Sequence, residues 1–197
     1  LATDLAPFDV AVSADGNFAY VSCWGGPSPK KQANTQKSAG TEIEVDKFGI
    51  VKTATVQKIE LATGKPLARA FVGLQPSQLL LDKSNQRLFV ANANADFVDI
   101  LDGKSLKRIA RVDVRPDAKF PFGTAPNSLA LSSDESMLWV ACGGINALAA
   151  VQLSGKPKVV GFVPTGWYPG AVQMQNDTLW VANIKGMGSR NPDAKGN

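Results

Sequence analysis

Short apolar runs recur along this chain in pairs, each pair parted by a few polar residues. The clearest pair lies in residues 126–142, where residues 129–131 and 137–141 are apolar and residues 132–136 are a Ser/Asp-rich break. Runs this short predict two buried strands around a turn whose Ser and Asp side chains bond the local backbone. Residues 7–23, 76–92 and 169–183 repeat the pattern, and each copy opens on a proline: Pro7, Pro76, Pro126 and Pro169.

A second hairpin follows each of the first three copies. Residues 55–73, 97–114 and 147–163 each read as strand, turn, strand, with Thr63-Gly64, Asp102-Gly103 and Ser154-Gly155 supplying turn chemistry. The proline spacing shortens from 69 to 50 to 43 residues along the chain. A period of roughly 40–45 residues with four short strands per unit predicts a β-propeller. The expected fold is therefore all-β, with four-stranded antiparallel blades over about 7–74, 75–115 and 125–164, and an incomplete blade over 168–197. Within a blade the strands are A to D from the axis outwards. A and B are expected to be the buried ones, because they read as continuous apolar runs. No helix is expected, given the density of Gly and Pro.

About three and a half blades make an incomplete ring, part of a ring of about seven. Either flanking residues complete it or several chains assemble to close it. Closed single-chain propellers are the norm, which favours the first reading.

Strands that alternate in direction put D–A and B–C loops on one rim and A–B and C–D turns on the other. All the surplus length falls on the first rim, in insertions at 24–54 and 115–125 and in the segment from Ile184 onward. Long loops on a rigid scaffold are where binding residues concentrate. The candidates on that rim are Trp24, Asn94, Asp96, Arg115, Asp117, Lys119, Phe122, Asn146, Trp167, Tyr168, Lys185 and Arg190. The aromatics among them have a plainer reading as plugs over the ring, and the charges as a solvated rim. Asn92 and Asn183, which end their strands, are expected to bond the adjacent loop backbone. The segment 185–190 lacks the Gly-Lys-Ser/Thr ending of a phosphate loop and reads as a plain loop.

The net charge is +4 over 197 residues with scattered lysines, so no nucleic-acid stripe is expected. No apolar run reaches the ~20 residues that span a bilayer. The chain starts at Leu1 without a signal peptide, which reads as a processed chain or a fragment. It contains no histidine, which removes His triads and His metal ligands. Cys23 and Cys142 hold the same place in non-neighbouring repeats, too far apart for a disulfide, and are expected as free thiols.

The repeats resemble the YVTN/YncE family of bacterial propeller repeats, through Ser13-Ala-Asp-Gly16, Leu88-Phe-Val-Ala-Asn92 and Leu61-Ala-Thr-Gly-Lys65. Trp24-Gly-Gly26, Phe120-Pro-Phe-Gly123, Thr165-Gly-Trp-Tyr-Pro169 and Val181-Ala-Asn-Ile-Lys-Gly186 are similar to the propeller half of two-part proteins that join such a propeller to an alkaline-phosphatase-type phosphoesterase. Cys23, Cys142 and Gln152 depart from the pattern, standing where Asn, Asn and Asp are usual. The resemblance implies a periplasmic or secreted protein whose partner is a C-terminal phosphoesterase domain or the remaining blades. It also implies metal ions held by Asp and His in that other domain, so this chain is expected to carry no cofactor and no catalytic residue. Two rival readings stand: a propeller enzyme of lactonase or quinoprotein type using Asp96 and Asp117, and a protein-interaction propeller of WD40 type. The second lacks its Gly-His and Trp-Asp signatures.

Overall fold

The computed structural model describes residues 2–38 and 40–186. The first sheet contains β1 (Leu5–Val12), β2 (Phe18–Gly26), β5 (Ala54–Glu60) and β6 (Pro66–Val72), in that order. A separate hairpin, β3 (Thr35–Ser38) and β4 (Thr41–Glu44), is inserted between β2 and β5. The second sheet runs β7 (Pro76–Leu81), β8 (Arg87–Asn92), β9 (Phe97–Asp102), β10 (Arg108–Asp113). The third runs β11 (Pro126–Leu131), β12 (Met137–Cys142), β13 (Ala147–Gln152), β14 (Lys158–Pro164), with one 3₁₀ turn at Gly143–Ile145. The pair β15 (Pro169–Gln175) and β16 (Thr178–Asn183) is the first half of a fourth. All ladders are antiparallel. The chain is a β-propeller arc, with β1, β7, β11 and β15 meeting one another along its axis.

Most of the core lies between blades, with a small cluster of Val21, Cys23 and Ile59 within the first sheet. Tyr20 and Val56 of the first sheet pack with Leu79, Leu88 and Val90 of the second. Phe89, Val98 and Ile100 of the second pack with Leu129, Leu138 and Val140 of the third. Ala130, Ala141 and Leu148 of the third pack with Val172 of the fourth pair. Both faces of a middle strand are therefore covered, which is why residues 88–91, 138–141 and 147–151 are unbroken apolar runs.

The burial differs from the sequence expectation at strand A. Strand C is buried too, β5 and β13 along almost their whole length, whereas β1 is exposed or half-exposed throughout; β11, strand A of the third blade, has four of its six residues buried, as many as β12. Strand A turns its free edge to the axis, and at the open end of the arc it has no blade in front of it.

The turns keep a common backbone. A left-handed residue precedes every strand-A proline: Ala6, Gln75, Ala125 and Tyr168, with φ of 49–56°. In the C–D turns the left-handed position is Gly64, Gly155 and, in the second blade, Leu106 rather than Gly103. Gly103 answers a different need, because a Cβ there would sit 2.2 Å from the Asn85 carbonyl oxygen of the neighbouring A–B turn. The last A–B turn has positive φ at both Asn176 and Asp177, the two-residue hairpin geometry that favours Asn and Asp.

Candidate functional site

The B–C and D–A loops share one rim and are laced together there. Ala93 N–H donates to Gln75 O, Gly143 N–H to Ala125 O, and Ile184 N–H to Tyr168 O. The inserted hairpin sits on the same rim of the first blade, with Ile43 beside Leu5 and Gly25 at the end of β2. Its continuation closes through a Val45–Val51 bridge around Asp46, whose carboxylate accepts from Phe48 and Ile50 N–H.

Two of the sequence candidates are staples. Asp96 is 3% exposed, and its carboxylate accepts from Gly123 N–H (2.9 Å), Thr124 N–H (2.8 Å) and the Thr124 hydroxyl (2.8 Å). Asn146 takes the equivalent place one blade on: its Oδ1 accepts from Tyr168 N–H at 2.8 Å. Both residues are left-handed, φ 54° and 55°, a conformation that Asn and Asp tolerate better than most side chains. The B–C turns of the second and third blades thus hold the loops that lead into the next blade. Asn94 contributes a backbone bond to Leu74 O. Trp24 stacks on Phe8 with ring centroids 4.1 Å apart and donates its indole N–H to Pro76 O, pinning the first blade to the second.

The remaining candidates stay at the surface. Arg115 pairs with Asp113, and that bond holds the Asp113 carboxyl below the usual carboxylate range. Asp117 accepts from Lys119 N–H within its own loop. Arg115 and Asp117 line a hollow of about 550 Å³ against Val160 and Phe162, on the outer circumference between the second and third blades. Lys185 Nζ lies 5.9 Å from the Tyr168 ring centroid. Trp167 is 45% exposed, Phe120 43% and Phe122 63%. Arg190 lies outside the described residues. The Asp96–Asp117 pair of the enzyme reading does not form a site, since one carboxylate is engaged by the Thr124 loop and the other faces the circumference.

Asn92 behaves as expected of a strand end, donating Nδ2 to Phe97 O, although its Oδ1 is buried without a partner. In its place, Cys142 is fully buried, and burial pushes its thiol up to about 12; Cys23 is pushed up to about 11, again mainly by burial. Both are free.

Sequence reasoning missed a groove of about 860 Å³ along the inner strands, lined by Gln78, Lys83, Ser128, Glu135, Met174 and Trp180 among others. It opens toward the A–B turns, not the loop-rich rim. The only hint was the shared apolar pattern of the strand-A copies, which carries no mark of which strand ends are open. Among the described residues no three His, Cys, Asp or Glu side chains come together as metal ligands. None of their helices is long and apolar enough to cross a membrane.

No protein-family model matches the chain, and no curated protein matches it either. Solved structures do. Hydrazine synthase of Kuenenia stuttgartiensis is 22% identical, with a TM-score of 0.64 over 90% of this chain and 41% of its own. The β-propeller domain of Cps50 (Swd1) from Myceliophteria thermophila is 11% identical, with a TM-score of 0.64 over 92% of this chain and 51% of its own. Dihydro-heme d1 dehydrogenase NirN is 14% identical, with a TM-score of 0.63 over 94% and 34%. The chain thus spans about half or less of the length of these structures. At such identities the likeness is one of fold, and that fold is the β-propeller.

Proposed function

We propose that this propeller module positions a partner protein domain on its loop-rich rim, and that the partner is an exported, metal-dependent phosphoesterase domain. One observation carries the first part. Large apolar side chains are exposed on the loop-rich rim, with Phe48 at 75%, Phe122 at 63%, Ile184 at 70% and Trp167 at 45%. Toward the turn rim Leu61 at 37% and Leu67 at 53% are exposed at one C–D turn, without an aromatic ring beside them in that turn. Exposed apolar groups bordered by polar ones are the usual mark of a protein contact surface. Lys47, whose Nζ lies 4.9 Å from the Phe48 ring centroid, is one such polar neighbour.

The phosphoesterase part is supported by the resemblance of residues 24–26, 120–123, 165–169 and 181–186 to two-part proteins. The residues of this chain do not suit that metal centre: there is no histidine, and the described carboxylates do not cluster. In this reading the propeller supplies no catalytic group. Its rim aromatics bury against the neighbouring domain, hold its orientation and exclude water from the edge of the contact.

Cross-linking of primary amines in the polypeptide as its source makes it tests the docking face. The expected links to the partner domain come from Lys47, Lys119 and Lys185. Links from Lys65, Lys104 and Lys156, on the turn rim, would overturn the reading. The chain 1–197 with added zinc or manganese is expected not to hydrolyse p-nitrophenyl phosphate, and metal-dependent turnover by it would refute the division of labour.

A further inference from the structure

The second and third blades differ in how their outer strands are held. In the second, the buried carboxylate of Asp99 binds two arginines of β10, Arg108 Nε at 2.8 Å and Arg111 Nε at 2.9 Å. Asn92 joins them, its Nδ2 3.3 Å from Asp99 Oδ2. The strand registers set Ala149, Val159, Phe162 and Cys142 of the third blade where the second has Asp99, Arg108, Arg111 and Asn92. Four polar positions have become apolar together. Val159 and Phe162 now pack on the core to which Ala149 and Cys142 belong.

This exchange alters the gap between neighbouring outer strands. Between the first and second blades Arg108 crosses it, its Nη2 donating to Phe71 O at 2.9 Å. Val159 stands in that place one blade on and has no donor to send across. The hollow of about 550 Å³ lies there, between two complete blades and away from both ends of the arc. Residues 159–162 of β14 form one wall, and Asp113 with residues 115–118 of the inserted loop forms the other. The β13–β14 register skips Val160, a bulge that leaves this side chain 52% exposed. A Cβ on Gly161 would meet nothing within 4 Å, so the floor of the hollow is open backbone.

Its charges are two carboxylates against one guanidinium. Asp113 engages both Nε and Nη2 of Arg115, so that pair is neutralised internally. Asp117 accepts from Lys119 N–H through Oδ1, and its other oxygen has no partner among the described residues. The side chains of Lys119 and Lys158 are exposed and do not line the hollow. The volume is that of a small-molecule site, and the spare charge is negative.

We propose that this hollow binds a small organic ammonium ion. Its apolar body lies against Val160 and Phe162, over Gly161, and its charged nitrogen sits on Asp117. The site is separate from the loop-rim contact and does not depend on it.

Saturation-transfer NMR on the polypeptide as its source makes it tests this with 4-phenylbutylamine. The alcohol 4-phenylbutanol and the anion 4-phenylbutyrate serve as matched probes. The amine is expected to bind with a Kd of about 1 mM, and at least about tenfold more tightly than the butyrate. Asp117→Asn should weaken the amine about three- to fivefold, the worth of an exposed ion pair, and leave the alcohol unchanged. Val160→Trp fills the hollow and should abolish binding of all three. Asp117 is exposed, so its variant keeps the test open if the larger side chain upsets folding. Absence of amine binding at about 20 mM, or amine binding that survives Val160→Trp, would overturn the proposal. So would equal affinity for the amine and the butyrate.

Discussion

At the turn rim of this arc the blades grip one another through polar groups. Tyr20 Oη and Lys58 Nζ both donate to Gly103 O of the next blade, at 2.6 and 3.0 Å. Lys83 N–H donates to Glu135 Oε1 at 2.7 Å, and the Ser133 hydroxyl to Asp177 Oδ1 at 2.9 Å. The large apolar groups exposed toward it include Leu61 and Leu67 at one C–D turn and Trp180 in the inner groove. The loop-rich rim is stapled as firmly, by Asp96 and Asn146, yet it keeps exposed aromatics that no blade uses. One rim completes its own bonding, and the other is held rigid while presenting apolar surface outward. Rigid presentation is what a docking surface requires, because little side-chain or loop entropy is then lost on contact.

The largest way to break this contrast is at the staple. Asp96→Ala would leave the buried Thr124 amide and hydroxyl and the Gly123 amide without their acceptor. Each such orphan costs about 1–3 kcal/mol, so a loss on the order of 3 kcal/mol is expected by chemical denaturation. Asp96→Asn keeps an acceptor and should recover more than half of it. A loss below about 1 kcal/mol for Asp96→Ala would mean that the loop 115–125 is not held by this residue.

Next in size is an alkaline effect at the loop-rim ends of the B strands. An unfolded thiol ionises near its ordinary value of 9.0, whereas burial in the folded chain pushes Cys142 up to about 12. The folded state therefore resists losing that proton. The stability is fully present below about pH 9 and is lost as pH rises toward the folded value, at about 1.4 kcal/mol per pH unit. Tyr20 is shifted upward too, by its own burial, so the clean measurement is the difference between the native chain and Cys142→Ala. Above pH 9 the variant should show the shallower decline, by up to that slope. Identical slopes would show that the thiol is not sealed from water.

Much of the architecture was open to reading from the letters alone. Stacked blades bury both faces of their middle strands, so apolar runs recur with the blade period, and Gly64 and Gly155 mark the left-handed turn positions. What was hidden depends on partners remote in sequence. Asp96 looked like a rim carboxylate because its partner Thr124 lies 28 residues away. The side chains that staple one inner strand to the next, each two residues after a strand-A proline, share that position but no chemistry, being Asp9, Gln78 and Ser128, so no repeated letter reveals them. Leu106 takes a left-handed turn that its residue type does not advertise, held because its side chain is 3% exposed in the first interblade core.

A smaller effect sharpens the turn rim. Glu135 binds Lys83 N–H but sits at φ 56°, a strained conformation for Glu. Glu135→Ala removes the bond and keeps the strain, an expected loss of about 0.5–1 kcal/mol. Glu135→Gly removes both and should lose less. The reverse order would show that the backbone there carries no strain.

The smallest effect on stability is the one that bears most on function. Phe122 and Trp167 project from the loop-rich rim with 63% and 45% of their surface in solvent. Neither is required to fill the interblade cores, so Phe122→Ser and Trp167→Ser should each change unfolding free energy by less than about 0.5 kcal/mol. Contact surfaces draw their binding from a few large aromatic anchors, and losing one typically costs 2 kcal/mol or more. The double variant should therefore retain its Tm and lose the cross-links from Lys119 and Lys185 to the neighbouring domain. If instead the Tm falls by several degrees with the cross-links kept, these rings are plugs of the arc, and the two rims differ in packing rather than in purpose.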